Sequence, residues 1–266
     1  KGEPCLALIS QRRFEGEADL FPAGKHLIQT WGAIRRQRFV PRWGLPPWRR
    51  VYGFRSDPLA LAEIEALAPL ERPVLPVELV LEAGEPRKAW VRGPAPRFRD
   101  LPPYRALREV LEALGSDERY LHRGLPYGVA FTGLWSLFVP LIAPGVVDAL
   151  EPEMERLKAL CFRLDVATVH AYAPMGPRSF YARDFAPLLG IPEDPVTGSA
   201  NAALGALLAR AGVVPRREGK VLLTVYQGHH LGNPGVVEVQ VEYSPTGEPY
   251  SVQIGGEAVI VQTGEV

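Results

Sequence analysis

The sequence predicts an α+β fold. Extended stretches that alternate apolar and polar residues recur along the chain, as they do in half-buried antiparallel strands. Segments with helical periodicity lie between them, but strands and helices do not alternate regularly, and strands dominate the C-terminal half. This order is typical of an α+β protein and not of a doubly wound parallel sheet.

The predicted strands are short segments rich in β-branched residues. Most of them show the two-residue alternation of a strand with one buried face. They are residues 6–9, 77–82, 89–92, 129–132, 137–141, 168–172, 221–226, 236–243, 250–254 and 258–261.

Five other segments carry apolar residues at helical spacing. Asp57 and Pro58 precede one of them and supply an N-cap residue and a proline at the first helical position. The predicted helices are residues 26–37, 59–67, 104–114, 151–162 and 199–211.

The order of elements predicts two lobes. A proline-rich passage at residues 94–103, a helix and a polar stretch at residues 115–123 separate the earlier strands from the later ones. We place the boundary near residue 118, which gives an N-terminal lobe at 1–118 and a C-terminal lobe at 119–266. Each lobe contains one apolar helix led by a glycine, at residues 24–34 and 198–208, and this weak similarity suggests related lobes.

Composition limits the class of partner. The 266 residues include 30 basic and 30 acidic side chains, so the neutral balance disfavours a nucleic acid as the main partner. No apolar run approaches the roughly 20 residues of a membrane-spanning helix, and the N-terminus lacks the order of a signal peptide. The two cysteines, Cys5 and Cys161, fit a reducing compartment. We expect a soluble, cytoplasmic protein that binds a small molecule and neither nucleic acid nor a membrane.

Residues 190–204 contain the richest chemical signal. Asp194 comes shortly before Thr197, Gly198 and Ser199, which open a helix of small apolar residues. The unpaired N–H groups and the positive end of the dipole at such a helix start favour a carboxylate or a developing oxyanion. The same residues also fit a plain helix cap, in which Asp194 and Thr197 only accept hydrogen bonds from the first turn.

Several motifs around this segment resemble the PhzF family, the phenazine biosynthesis-like isomerases. Residues 183–187 read Arg-Asp-Phe-Ala-Pro, and residues 190–200 read Gly-Ile-Pro-Glu-Asp-Pro-Val-Thr-Gly-Ser-Ala. The resemblance covers about residues 75–266, with the motifs in the family's order. The further matches are Thr132, Gly133 and Leu134; Tyr226, Gln227 and Gly228; Gly235, Val236 and Val237; and Gly255, Gly256, Glu257, Ala258 and Val259.

The resemblance implies a fold similar to that of diaminopimelate epimerase. Two similar lobes would each wrap a curled mixed or antiparallel sheet around a central helix, with the active site in the cleft between them. The family uses no organic cofactor and no metal. His229 and His230, adjacent on a predicted strand edge, would diverge and could not chelate one ion. We also expect a homodimer.

The resemblance further implies an isomerase that moves a proton between carbons of a small carboxylated metabolite. Glu3 would be the acid/base, Asp194 would hold an amino or hydroxyl group, and the N–H groups of Gly198 and Ser199 would receive the carboxylate. The remaining predicted substrate-binding residues are Gly24, Thr197, Gln227 and Gly228.

The first lobe departs from the family pattern. Glu3 lies in Gly-Glu-Pro where the family has Ser-Glu-Thr, and the family's first strands have no counterpart before it. We therefore expect either a lobe that is shortened at its start or a sequence that begins late in the lobe. Lys25 follows Gly24 where the family has a histidine, and His26 could replace that histidine if the turn shifts by one residue. A second hypothesis therefore stays open, a non-catalytic small-molecule-binding relative that kept the cleft and lost the acid/base pair.

Overall fold

The computed structural model describes residues 77–82 and 85–257. Residues 77–91 and 256–257 belong to one compact unit, and Arg92–Gly255 form a second. In the first unit, β1 (Val77–Glu82) and β2 (Glu85–Arg92) pair as an antiparallel hairpin. The register of this hairpin shifts between Val80 and Leu81. The strand predicted at residues 77–82 is confirmed at both ends.

The second unit is organised by a mixed sheet. Its strands run in the order β11-β10-β9-β7-β6-β5-β4-β3, and β8 also pairs with β7. Two neighbouring pairs, β5 with β6 and β7 with β9, are parallel. The strands are β3 (Arg97–Arg99), β4 (Gly128–Phe131), β5 (Trp135–Pro140), β6 (Thr168–Gly176), β7 (Ser179–Ala186), β8 (Ile191–Asp194), β9 (Lys220–Gln227), β10 (Gly235–Tyr243) and β11 (Pro249–Glu257).

Helices pack on both faces of this sheet. On one face α1 (Tyr104–Ala113), α2 (Pro144–Asp148) and α3 (Met154–Leu164) cover the central strands. A hydrophobic core forms there from buried residues of the helices and of β5, β6 and β7. Full burial of each large aliphatic side chain contributes about 2 kcal/mol to the stability of the folded protein. Leu111, Leu157, Leu137, Val169 and Phe185 are members of this core.

The fourth helix, α4 (Gly198–Arg210), lies on the opposite face and contacts β4, β5, β9 and β10. Every residue from Gly198 to Ala209 is buried, because alanine, leucine and glycine leave no polar stripe for solvent. A Cβ added at Gly205 would lie 2.5 Å from Val239 Cγ1. Glycine at this position therefore lets α4 approach β10 more closely than any other residue would.

The α+β class predicted from the sequence is confirmed. The described strands and helices overlap predicted ones, except that β3, β7, β8 and α2 were not predicted. Some boundaries differ: β2 begins at Glu85 instead of residue 89, β6 and β11 end at Gly176 and Glu257 instead of residues 172 and 254, and α3 begins at Met154 instead of residue 151. The strands predicted at residues 6–9 and 258–261 and the helices at residues 26–37 and 59–67 lie outside the described residues. The lobe boundary near residue 118 stays a prediction. In the described part of the chain, no helix is long and apolar enough to cross a membrane.

Candidate functional site

Six of the predicted site residues come together where α4 begins. Asp194 ends β8, Thr197 and the first two residues of α4 follow, and Gln227 and Gly228 stand at the end of β9. All six are buried. The other predicted site residues, Glu3, Gly24, Lys25 and His26, lie outside the described residues.

Thr197 connects Asp194 to the helix start. Its backbone is extended, with φ −108° and ψ 97°, and its side chain makes no capping hydrogen bond to the first turn of α4. Thr197 Oγ1 instead donates to Asp194 Oδ2 at 3.0 Å. The plain cap interpretation is therefore wrong for Thr197. This side chain leaves the first-turn N–H groups, which have no partner within the helix, available to another acceptor.

Gln227 fixes this arrangement from the neighbouring strand β9. Its Nε2 donates to the backbone oxygen of Asp194 at 2.6 Å and to Thr197 Oγ1 at 2.9 Å. Its Oε1 accepts from the N–H of Thr197 at 3.2 Å and from Asn201 Nδ2 at 2.7 Å. The backbone N–H of Thr197 and the backbone oxygen of Asp194 identify which end of the Gln227 amide is the oxygen and which is the nitrogen. One side chain thus ties the end of β8 to the first turn of α4.

Ser199 presents the polar atom that is best placed for a ligand. Its backbone oxygen accepts from Thr132 Oγ1 at 2.7 Å, which anchors the first turn to the segment between β4 and β5. Its Oγ is buried and has no hydrogen-bond partner among the described residues. A buried hydroxyl without a partner in a native protein calls for a specific explanation, and a bound ligand or water is one.

Gly228 has a packing role beside the site. Its φ is +85°, and a Cβ would lie 2.6 Å from the backbone oxygen of Pro195 and closer still to that of Asn233. Only glycine allows the loop after β9 to approach the segment that follows Asp194 so closely. A contact of Gly228 with substrate stays a prediction.

A buried ion pair on the other face of the sheet holds β8 in place, and the sequence analysis did not identify it. Arg183 of β7 binds Glu193 in a bidentate pair at 2.9 and 2.8 Å. The remaining Arg183 nitrogen, Nη1, donates to the backbone oxygens of Val147, Asp148 and Leu150 at the end of α2. Because Glu193 immediately precedes Asp194, this pair fixes the backbone that carries the site carboxyl. The partners of Arg183 lie on other elements, β8 and the end of α2, and hydrophobic periodicity does not predict contacts between side chains of different elements.

The histidine pair after β9 does not lie on a strand edge as predicted. His229 and His230 are in the turn that follows Gly228, because β9 ends at Gln227. The ring of His229 contacts Tyr181 and Tyr226. Within residues 77–82 and 85–257, no group of three or more His, Cys, Asp and Glu side chains is arranged to bind a metal ion.

These features define an α+β protein with a buried polar network at the start of an apolar helix. Comparison with known proteins then identifies the family. Residues 75–264 match the family model for phenazine biosynthesis-like proteins, PhzC-PhzF. The chain belongs to this family, as the sequence motifs predicted.

Individual relatives agree with the family assignment. The chain is 48% identical over 192 residues to an uncharacterized isomerase of Deinococcus radiodurans, which covers 71% of this chain and 61% of that protein. It is 29% identical over 159 residues to the trans-2,3-dihydro-3-hydroxyanthranilate isomerase of Pseudomonas chlororaphis, covering 59% of this chain and 52% of that protein. The crystal structure of a PhzF-family phenazine biosynthesis protein of Bacillus anthracis matches with a TM-score of 0.61 and 27% identity, over 72% of this chain and 64% of that one. The chain thus spans only part of the length of each relative.

Proposed function

We propose that this protein is a cofactor-independent isomerase that moves a proton between two carbons of a small carboxylated substrate. The observation that carries the proposal is the buried carboxyl of Asp194 beside the start of α4, in a chain of the PhzF family. This carboxyl accepts from Thr197 Oγ1, and Gln227 holds the Asp194 backbone. The names of the relatives, which include isomerases, support the same reaction class.

Each part of the site has a role in the proposed reaction. The N–H groups of Gly198 and Ser199 bind the substrate carboxylate, because a helix start offers donors and a favourable dipole. Asp194 accepts a hydrogen bond from an amino or hydroxyl group of the substrate. Glu3 takes a proton from one carbon and returns it to another, so the double bond shifts without an oxidant or reductant.

The proposal includes the architecture that the sequence motifs imply. Two lobes each wrap a sheet around a central helix, and the helices that begin at Gly24 and Gly198 point their N-termini at one cleft. Lys25 or His26 then supplies the polar contact from the first lobe. The homodimer and the cytoplasmic location stay predictions.

Hydrogen exchange tests the proposed reaction. The purified protein is incubated in D2O with trans-2,3-dihydro-3-hydroxyanthranilate and related cyclic and linear amino- and hydroxy-carboxylates, and deuterium in the recovered compounds is measured by mass spectrometry. We expect exchange with the wild type and at least a tenfold lower rate for Asp194→Asn, equivalent to about 1.4 kcal/mol of transition-state stabilisation. The exposed Asp165→Asn variant is the matched control and should keep the wild-type rate.

A second variant separates binding from chemistry. Glu3→Gln keeps the size and one acceptor oxygen of the side chain but cannot act as a base, so exchange should be abolished while ligand affinity stays within about tenfold. Full exchange by Glu3→Gln would assign the acid/base role to Lys25 or His26. Binding by the wild type without any exchange would favour the non-catalytic relative.

A further inference from the structure

The threonine that precedes α4 has the side chain of a helix cap but does not act as one. The backbone oxygen of Thr197 accepts the first hydrogen bond of the helix, from the N–H of Asn201 at 3.0 Å. A threonine in this position usually also accepts, through its hydroxyl, from the N–H of the second or third helical residue, here Ser199 or Ala200. The Thr197 hydroxyl makes no such bond. Another group therefore holds this side chain away from the helix.

Gln227 holds Thr197 at two points. Its Oε1 accepts from the Thr197 N–H at 3.2 Å, and its Nε2 donates to Thr197 Oγ1 at 2.9 Å. A hydroxyl group donates one hydrogen and accepts through its lone pairs. The hydrogen of Thr197 goes to Asp194 Oδ2, and the donor of Gln227 occupies the accepting side of the oxygen. Both the backbone and the hydroxyl of Thr197 are thus fixed.

Asn201 keeps the Gln227 amide in the orientation that this arrangement needs. Asn201 Nδ2 donates to Gln227 Oε1 at 2.7 Å, which turns the amide nitrogen toward Thr197 and the backbone oxygen of Asp194. The side chains of Asn201 and Gln227 are both fully buried, so bulk water does not compete for these bonds. Because Asn201 lies in the first turns of α4, the helix itself sets the orientation of the amide.

The start of α4 keeps polar groups for a ligand only while Thr197 stays away. Its first N–H groups have no partner within the helix, and Ser199 Oγ is buried without a hydrogen-bond partner among the described residues. A capping oxygen and a bound carboxylate oxygen accept from the same N–H groups. A cap bond from Thr197 would therefore occupy the place that the substrate carboxylate takes in the proposed function.

We propose that Gln227 is a positioning residue that keeps the carboxylate site open by preventing Thr197 from capping α4. Without the donor of Gln227, the accepting side of Thr197 Oγ1 is free, and the hydroxyl turns to the N–H of Ser199 or Ala200. Gln227 then acts on the substrate only through Thr197, and not by the direct contact that the sequence motifs predict. This inference rests on the proposed binding of a carboxylate by the first N–H groups of α4.

A crystal structure of the Gln227→Met variant tests the inference without any ligand. Methionine is about as long as glutamine, but it cannot donate to Thr197 Oγ1. We expect Thr197 Oγ1 within about 3.2 Å of the backbone nitrogen of Ser199 or Ala200. A hydroxyl that stays on Asp194 Oδ2 and makes no bond to α4 would overturn the inference.

Binding of anthranilate, measured by isothermal titration calorimetry, tests the consequence for the site. We expect Gln227→Met to raise the Kd at least about tenfold in the wild-type background. In the Thr197→Val background the same substitution should change the Kd by less than about threefold, because valine has the shape of threonine but cannot cap. Gln240→Met is the matched control and should leave the Kd unchanged, since Gln240 donates to Gln253 on the neighbouring strand.

A second substitution covers the case in which Gln227→Met does not fold, as judged by circular dichroism and thermal melting. Gln227→Glu keeps the oxygen that accepts from the Thr197 N–H and from Asn201, but its carboxylate lacks the donor to Thr197 Oγ1. It is compared with and without Thr197→Val. Both proteins carry the same added charge, so tighter binding in the presence of Thr197→Val reports the release of the cap.

The results separate this inference from the proposed function. Equal losses of affinity with threonine and with valine at position 197 would show that Gln227 contacts the ligand directly, and would overturn the inference. Deuterium exchange by the wild type would still support the isomerase in that case. A wild type that neither binds anthranilate nor exchanges deuterium would count against the isomerase, and the position of Thr197 in Gln227→Met would still decide the role of Gln227.

Discussion

Gln227 shows how one amide group organises the site at the residue scale. It is fully buried and uses both ends of its side chain, donating to Asp194 and Thr197 and accepting from Thr197 and Asn201. Such a network stabilises a protein when every member is satisfied and destabilises it when one donor is lost. Position 227 therefore requires a side chain of this length that carries both a donor and an acceptor.

We expect Gln227→Glu to lower the free energy of unfolding by about 2 kcal/mol, because a carboxyl group replaces the donor that faces the backbone oxygen of Asp194. Urea unfolding followed by circular dichroism measures the change. Gln240→Glu is the control: Gln240 is half-buried on β10, and among the described residues its Nε2 donates only to the side-chain oxygen of Gln253, whose amide can turn to donate instead. This variant should change the value by less than about 0.5 kcal/mol. Equal effects of the two variants would refute the structural role of the Gln227 network.

Cys161 gives a residue-scale prediction for pH dependence. Burial, reinforced by the negative charge of Asp184, raises the pKa of this thiol from its usual 9.0 to about 12. Between these values the thiol ionises in the unfolded chain but not in the folded one, so stability present below pH 9 is lost as the pH rises, by up to about 1.4 kcal/mol per pH unit. Unfolding free energies at pH 8, 9 and 10 should fall less steeply in Cys161→Ala than in the wild type. Parallel slopes would contradict the burial of this thiol.

At the scale of elements, the approach of α4 to β10 depends on Gly205. Alanine normally favours a helix over glycine by about 1 kcal/mol. At Gly205, however, the added methyl group would press on Val239 at 2.5 Å, and overpacking of this kind costs about 1–3 kcal/mol. Gly205→Ala should therefore lower the melting temperature, as measured by differential scanning calorimetry.

Gly145 of α2 provides the matched control for that substitution. A Cβ at this helical position would meet nothing within 4 Å. Gly145→Ala should leave the melting temperature unchanged or raise it. A Gly205→Ala variant with an unchanged melting temperature would mean that α4 can move away from β10 without loss of stability. That result would contradict the close packing of α4 on β10.

Strand β7 shows why some elements could not be predicted from the sequence. It lies inside the sheet between β6 and β9, yet it contains Arg183 and Asp184, which local patterning assigns to the surface or to a loop. Both charges are buried because partners on neighbouring elements satisfy them. Glu193 and the end of α2 bind Arg183, and His170 binds Asp184. Helix α2 was missed because its five residues give no usable period. Regular amphipathic strands such as β9 and β10 were predicted because their one buried face produces an alternation of apolar and polar residues that is visible in the sequence.

At the scale of the whole molecule, the sequence predicts the α+β class, the family and the start of α4 correctly. The segment from Asp194 to Ser199 is recognisable because proline, threonine and glycine are favoured near a helix start, and because the small residues that follow allow the helix to be buried on all sides. The supporting residues Asn201, Arg183 and His170 were not predicted, since their roles depend on side-chain contacts between separate elements, which hydrophobic periodicity does not indicate.

The most direct test of the central claim is a crystal structure of the protein with bound anthranilate, a stable compound that carries both a carboxylate and an amino group. We expect the carboxylate within hydrogen-bond distance of the Gly198 and Ser199 N–H groups, and the amino group beside Asp194. We also expect Glu3 across the ligand from α4. Anthranilate bound away from the start of α4, or Glu3 on the outer surface with the ligand in place, would contradict it.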